Sequence, residues 1–220
     1  MNRKIAIVAA MLVMVLATHS EQAYAQDAGL QGKKAGDLLV RLRAVGVVPD
    51  ENDSRVSVIG GELDASNTLV PELDFSYFFT DYIAAELILA TTPHSISANR
   101  TTLGKVDVGD VWLLPPTVTL QYHPFPKSRF SPYVGAGLNV TLFYAADAAG
   151  GTVRSLSFDD FSVGFAAQVG MDYQIDDKWS LNLDIKKVFI EADASLNGGA
   201  ITGQVDLDPW LFGIGVGYKF

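Results

Sequence analysis

The chain has 220 residues, with 16 Lys and Arg against 25 Asp and Glu, a formal net charge of −9. The acidic balance and the lack of any Lys/Arg cluster argue against a nucleic-acid partner. No cysteine occurs, so no disulfide framework is available and the fold must hold by strand pairing and packing alone. Apolar residues make up 49%, including twelve Phe and eight Tyr, yet beyond the first twenty residues no apolar run approaches the length of a membrane helix.

Asn2-Arg3-Lys4 is a short basic segment, Ile5 to Ala17 an apolar run, and Ala23-Tyr24-Ala25 an A-x-A cleavage pattern. Together they read as a secretory signal peptide over 1–25, which leaves 26–220 as one domain. The alternative, an uncleaved helical anchor, is disfavoured because thirteen apolar residues are short for a bilayer span.

From residue 38 onward the period is two, which means strands. The alternation predicts strands over 38–48, 69–79, 82–91, 113–123, 132–144, 161–173, 179–190 and 205–220. In the last of these, Trp210, Phe212, Ile214, Val216, Tyr218 and Phe220 share one face, opposite Gly213, Gly215, Gly217 and Lys219. In 69–79, Leu73, Phe75, Tyr77 and Phe79 oppose Val70, Glu72, Asp74 and Ser76. On every strand one face is almost free of charge, while the other mixes charges, glycines and small residues. A soluble barrel would turn the apolar face inward. Eight strands with a continuous uncharged face instead predict an all-β, eight-stranded antiparallel transmembrane barrel with lipid outside. Connections 80–81, 124–131 and 174–178 are short and predict periplasmic turns. Connections 49–68, 92–112, 145–160 and 191–204 are long and predict extracellular loops. Aromatic residues cluster at the strand ends: Phe79, Tyr82, Tyr122, Phe125, Tyr173, Trp179, Tyr218 and Phe220 at one end, Tyr144, Phe161 and Trp210 at the other. These form the expected interfacial girdles.

Several stretches resemble the OmpW family of outer-membrane proteins. They are Leu114-Pro115-Pro116-Thr117, the block from Arg129 to Asn139 containing Pro132-Tyr133-Val134-Gly135-Ala136-Gly137, Gln168 to Tyr173, and Leu207-Asp208-Pro209-Trp210 ahead of the terminal Gly-Tyr-Lys-Phe. The resemblance runs from Gly36 to Phe220. It implies a narrow hydrophobic channel carrying small apolar molecules across the bacterial outer membrane. Relatives place a tryptophan of the channel on the seventh strand, and the matching position here is Lys186.

Parity also divides the lumen into two layers. The lower layer is polar, and Arg41 and Arg43 can pair with Glu72, Asp74 or Glu86 to form a plug. The upper layer is apolar: Val45, Val47, Val70, Ile88, Leu113, Phe143, Val188, Ile190, Leu207 and Leu211. Two readings of it stay open, a pocket for a hydrocarbon or side chains that merely fill a barrel of this size. Pro115, Pro116 and Pro209 lie in outer strand segments and cannot donate to a ladder. They mark either a lateral gap in the wall or simple strand starts.

The function expected is passive uptake of a small hydrophobic solute, with lateral release into the bilayer. The alternative is a structural or adhesion barrel with a packed lumen and functional loops. No enzyme is expected: His94-Ser95 with Asp107 or Asp110 could be imagined as a triad, but loop residues of this kind are normally solvated. The sequence predicts no catalytic residue, no metal site and no cofactor. The partners expected are outer-membrane lipid, lipopolysaccharide facing the acidic loops, the solute, and the barrel-assembly machinery acting on the terminal Phe220. The barrel is expected to be a monomer.

Overall fold

A computed structural model describes residues 30–49, 55–56, 62–102, 104–150, 155–158, 161–196, 201–206 and 208–220. The predicted signal peptide and Leu207 lie outside the described residues.

Eight strands close on themselves: β1 Leu38–Val48, β2 Thr68–Phe78, β3 Ile83–Ala90, β4 Thr117–Tyr122, β5 Phe130–Ala148, β6 Phe161–Gln174, β7 Trp179–Val188 and β8 Trp210–Lys219. Each pairs antiparallel with the next. β8 returns to β1 with Arg41 opposite Gly217 and Val48 opposite Trp210, which completes the ring. No helix among the described residues is long and apolar enough to cross a membrane. The crossing is made by strands, and closure leaves no unpaired edge in hydrocarbon.

The inside-out distribution is direct. Leu42, Leu69, Phe165 and Ile214 are 55%, 75%, 69% and 62% exposed, whereas Arg41, Arg43, Glu72, Asp74 and Glu86 are at most 1% exposed. In water that arrangement would be unfavourable; with lipid outside, the exposed apolar belt is the buried surface. Ring pairs fix its lower rim, with Trp179 edge-on to Tyr218 and Tyr218 edge-on to Phe220. Trp112 and Tyr144 pack at the outer rim.

Two expectations need correction. The connection 92–112 is not a loop. Thr92–Thr101 and Gly104–Leu114 form a hairpin that carries the wall outward, and Gly104–Leu114 pairs with the outer half of β5. Glu191–Leu196 and Ile201–Asp206 form a second outer hairpin. On the first of these hairpins the buried face holds Ile96, Ala98, Val108 and Val111 while Ser95 and Asp110 point out, so the uncharged outer face that marks a spanning strand is missing there. The eighth barrel strand begins at Trp210, after Pro209, and not at 205.

Below β1, residues 30–37 run across the periplasmic end. Lys33 N donates to Pro126 O and Gly36 N to Phe78 O, which holds the segment under the barrel.

Candidate functional site

The floor comes first, because it decides what can pass. Arg41 makes a bidentate pair with Asp172, Nε to Oδ1 at 3.0 Å and Nη2 to Oδ2 at 2.7 Å. Its Nη1 donates to Ser76 and to Glu86 Oε1 at 3.0 Å. Arg43 donates to Glu72 Oε1 at 3.0 Å, Asn182 Oδ1 at 2.6 Å and Glu86 Oε1 at 3.3 Å. Asp74 Oδ2 lies 2.7 Å from Arg43 Nη1 but out of line for a hydrogen bond. Thus all five residues predicted for the plug come together, with Arg41 on Glu86 and Arg43 on Glu72, Asp74 and Glu86. Bidentate and charge-assisted geometry of this kind is what dry charges require.

Parity turns Asp172 and Asp184 into the same polar layer, but nothing in the pattern names their partners; the members that sequence reasoning missed are Tyr133, Lys186 and Lys33. Tyr133 shares parity with Gly135; its hydroxyl donates to Asp184 Oδ2 at 2.7 Å and accepts from Arg43 and Asn182. The ring has room because Gly170 carries no side chain: a Cβ there would lie 2.3 Å from Tyr133 Cζ and 2.7 Å from Leu183 O. Lys186 donates to Glu72 Oε1 at 2.6 Å and lies 3.2 Å from Asp184.

Lys33 is the least legible. It belongs to no strand, yet its ammonium enters from below and donates to Asp172 Oδ2 at 2.6 Å, Ser131 Oγ at 2.9 Å and His123 Nδ1 at 3.1 Å. Since that ammonium only donates, His123 Nδ1 accepts and its Nε2–H donates to Gln121 Oε1 at 3.1 Å. Burial pushes the Lys33 ammonium down to about 8, against the pull of Asp172. Burial, then the Lys33 charge, pushes His123 down to about 2. The floor therefore holds four cations, Lys33, Arg41, Arg43 and Lys186, among five carboxylates, Glu72, Asp74, Glu86, Asp172 and Asp184, with a neutral imidazole between.

Above the floor lies a cavity of about 40 Å³ that opens toward the outer end of the barrel. Val45, Val47, Val70, Ile88, Leu113, Val188, Ile190 and Leu211 all line it. Phe143 does not; it is half-buried and packs against the apolar cluster that includes Leu113, Val188 and Ile190, beside a register shift between Trp112 and Leu113. Its pairing partner is Leu113, where an unbroken register would give Leu114. Leu207 lies outside the described residues. Glu72 and Lys186 mark the cavity floor, and Thr92 and His94 its outer part.

The predicted gaps behave differently. Pro115 lines the cavity and is half-exposed; Pro116 does not line it. The β3–β4 ladder stops at Ile88 opposite Thr117 and resumes at Thr92 opposite Leu113. Between them three residues on each side are unpaired in the ladder, and only Thr91 Oγ1 bridges, to Leu113 O at 3.3 Å. On the other side Pro116 O still accepts from Val140 N. Pro209 also lines the cavity, but Val188 N donates to its carbonyl and Ile190 N to Asp208 Oδ1, so the wall is bridged there.

His94 is neither in a loop nor solvated. It lies on the strand Thr92–Thr101, opposite Val111, and is 4% exposed. Its Nδ1 bonds to Ser66 O at 2.9 Å, not to an aspartate. Burial lowers its pKa from the ordinary value. Among the described residues no group of three metal-ligating side chains occurs.

A closed eight-stranded barrel with lipid-facing apolar sides, an ion-paired floor and an apolar outer cavity defines a bacterial outer-membrane barrel. The chain belongs to the OmpW family, whose model matches residues 34–220. It is 46% identical over 186 residues to an uncharacterized outer-membrane protein y4mB of Sinorhizobium fredii, covering 82% of this chain and 79% of that one. It is 31% identical over 167 residues to the dibenzothiophene metabolism operon protein PahQ of Pseudomonas aeruginosa, covering 74% and 77%. Among solved structures, the outer membrane protein OprG of Pseudomonas aeruginosa superposes with a TM-score of 0.80 at 31% identity, covering 87% of this chain and 99% of that one.

Proposed function

We propose that this barrel passively admits small hydrophobic molecules from outside, holds them in the upper cavity and releases them sideways into the bilayer. The observation that carries the reading is the stacking of an almost wholly apolar cavity on a dry, ion-paired floor. A cavity whose walls are Val, Ile and Leu suits an apolar solute and gives an ion nothing to replace its hydration. The floor blocks a straight path, since moving a solute through it would strip charges of their partners. The interrupted ladder between β3 and β4, with Ala90 and Pro115 on the cavity wall, gives the exit with the fewest hydrogen bonds to break. A relative named for a dibenzothiophene operon fits a solute of this class. The same reading has residues 1–25 removed on export and the barrel acting as a monomer in lipid and lipopolysaccharide.

The test is uptake of a volatile aromatic by cells that carry the protein, against cells that lack it, with a variant in which Pro115 and Pro116 become Val. That change restores two amide donors beside the interruption. Slower uptake with unaltered binding of the aromatic supports lateral release. Equal uptake by cells with and without the protein refutes the channel.

A further inference from the structure

The cavity is apolar along its walls but not at its mouth. His94 lines it with its ring buried, and its Nδ1 is 2.9 Å from the backbone carbonyl of Ser66. A carbonyl only accepts, so Nδ1 carries the proton, and in the neutral ring Nε2 is left as a bare acceptor. That acceptor is on the far side of the ring from Ser66. No described residue donates to it, and the tautomer that exposes it is locked, because Ser66 is itself tied to the same strand by Ser66 N to Ser95 O and Ser95 N to Ser66 Oγ. Nε2 therefore has a free lone pair at the cavity wall, and a donor on a molecule in the cavity is the partner that completes it.

The floor narrows the class further. Of the floor charges, Glu72 and Lys186 reach the cavity, and they pair with each other. The Lys186 ammonium is held by Glu72 and Asp184, so no free cation awaits a carboxylate head, while an uncharged donor needs none.

We propose that His94 is a specificity determinant of the cavity, and that the preferred occupant is an apolar molecule bearing one neutral hydrogen-bond donor, an alcohol or a phenol, with its hydroxyl on His94 Nε2 and its body against Val47, Ile88 and Val188. This rests on the cavity being a ligand site, as proposed above. It adds to that reading a reason for a polar group at the mouth: a hydroxylated molecule is captured there before its apolar part descends.

The experiment uses the full-length protein in phospholipid nanodiscs, with empty nanodiscs to subtract partition into lipid. Binding of 4-fluorobenzyl alcohol, of its methyl ether and of 4-fluorotoluene is followed by fluorine NMR. The ether can accept but not donate. The alcohol is expected to bind about two- to ten-fold tighter than the ether, the range set by one net hydrogen bond. In His94→Leu that preference is expected to disappear while 4-fluorotoluene is still bound beyond partition into empty nanodiscs. In His94→Gln, whose amide oxygen can accept, the preference is expected to persist. Equal binding of alcohol and ether by the wild type, or a preference unchanged in His94→Leu, overturns the role of His94; 4-fluorotoluene binding would then leave the apolar cavity standing. Binding of none of the three beyond partition removes the cavity reading and this one with it.

Discussion

Replacing Arg43 with Ala perturbs the floor where its contacts are densest. The guanidinium, 1% exposed, reaches Glu72 at 3.0 Å, Asp74 at 2.7 Å, Glu86 at 3.3 Å, Asn182 at 2.6 Å and Tyr133 at 3.1 Å. Its removal leaves three cations among five carboxylates. Glu72 keeps Lys186 and Glu86 keeps Arg41, but Asp74 loses its one close cation. Breaking a buried pair in this way costs about 3–5 kcal/mol. Equilibrium urea unfolding in phospholipid vesicles, read by tryptophan fluorescence, measures it. Adding Asp74→Asn removes the stranded charge, and the double variant should recover a third or more of the loss. Neighbours in one network couple by about 0.5–3 kcal/mol, so the cycle has a readable signal. A loss below about 1 kcal/mol in Arg43→Ala, with no coupling to Asp74→Asn, would show that the floor is wet and is not a plug.

Other outcomes follow from the same geometry. Lys33→Met should lower stability and raise ion leakage through the barrel in planar bilayers, because Lys33 closes the floor from below; unchanged conductance would make the 30–37 segment a passive tether. His123 is held neutral with its folded pKa near 2 against an ordinary 6.5, so the unfolded chain binds the extra proton between those values. Its contribution is present above pH 6.5 and is lost as pH falls toward 2. The stability difference between the wild type and His123→Gln should therefore shrink on acidification; a difference constant from pH 7 to 4 would contradict the assignment. Gly170→Ala should hinder assembly or cost at least about 1–3 kcal/mol, since its Cβ would meet the Tyr133 ring and the Leu183 carbonyl. Normal folding yield and melting temperature would show that Tyr133 can move aside without loss.

The spanning part of this fold is legible because lipid imposes a strict period: one uncharged face, one mixed face, repeated eight times. The parity of Val70, Glu72, Asp74 and Ser76 places all four inside, and all four are buried there. Legibility ends where lipid ends. The hairpin Thr92–Thr101 and Gly104–Leu114 carries residues such as Ser95, Ser97 and Asp110 on a wall that meets water, so it reads as loop. His94 was misplaced for that reason. Phe143 shows a second limit: alternation turns it inward, between exposed Leu142 and Tyr144, but parity does not say which inward residues meet the cavity. Lys33 shows a third: a residue that reaches its site from outside the strands leaves no periodic trace, and only the surplus of lumen carboxylates hints that a further cation is needed.

The central claim is that the upper cavity carries the solute. Ile88 and Val188 line it and are 3% and 5% exposed, whereas Leu87, one residue away on the lipid face, is 39% exposed. Uptake of a medium-chain alkane or a volatile aromatic should be measured at equal outer-membrane protein levels for Ile88→Asp, Val188→Asp and the control Leu87→Ser. A carboxylate among apolar walls draws water into the cavity and removes contacts from the solute, so both lumen variants should transport several-fold more slowly while Leu87→Ser stays close to the wild type. Wild-type rates in both lumen variants would contradict the account and leave the upper residues as the packing of a structural barrel.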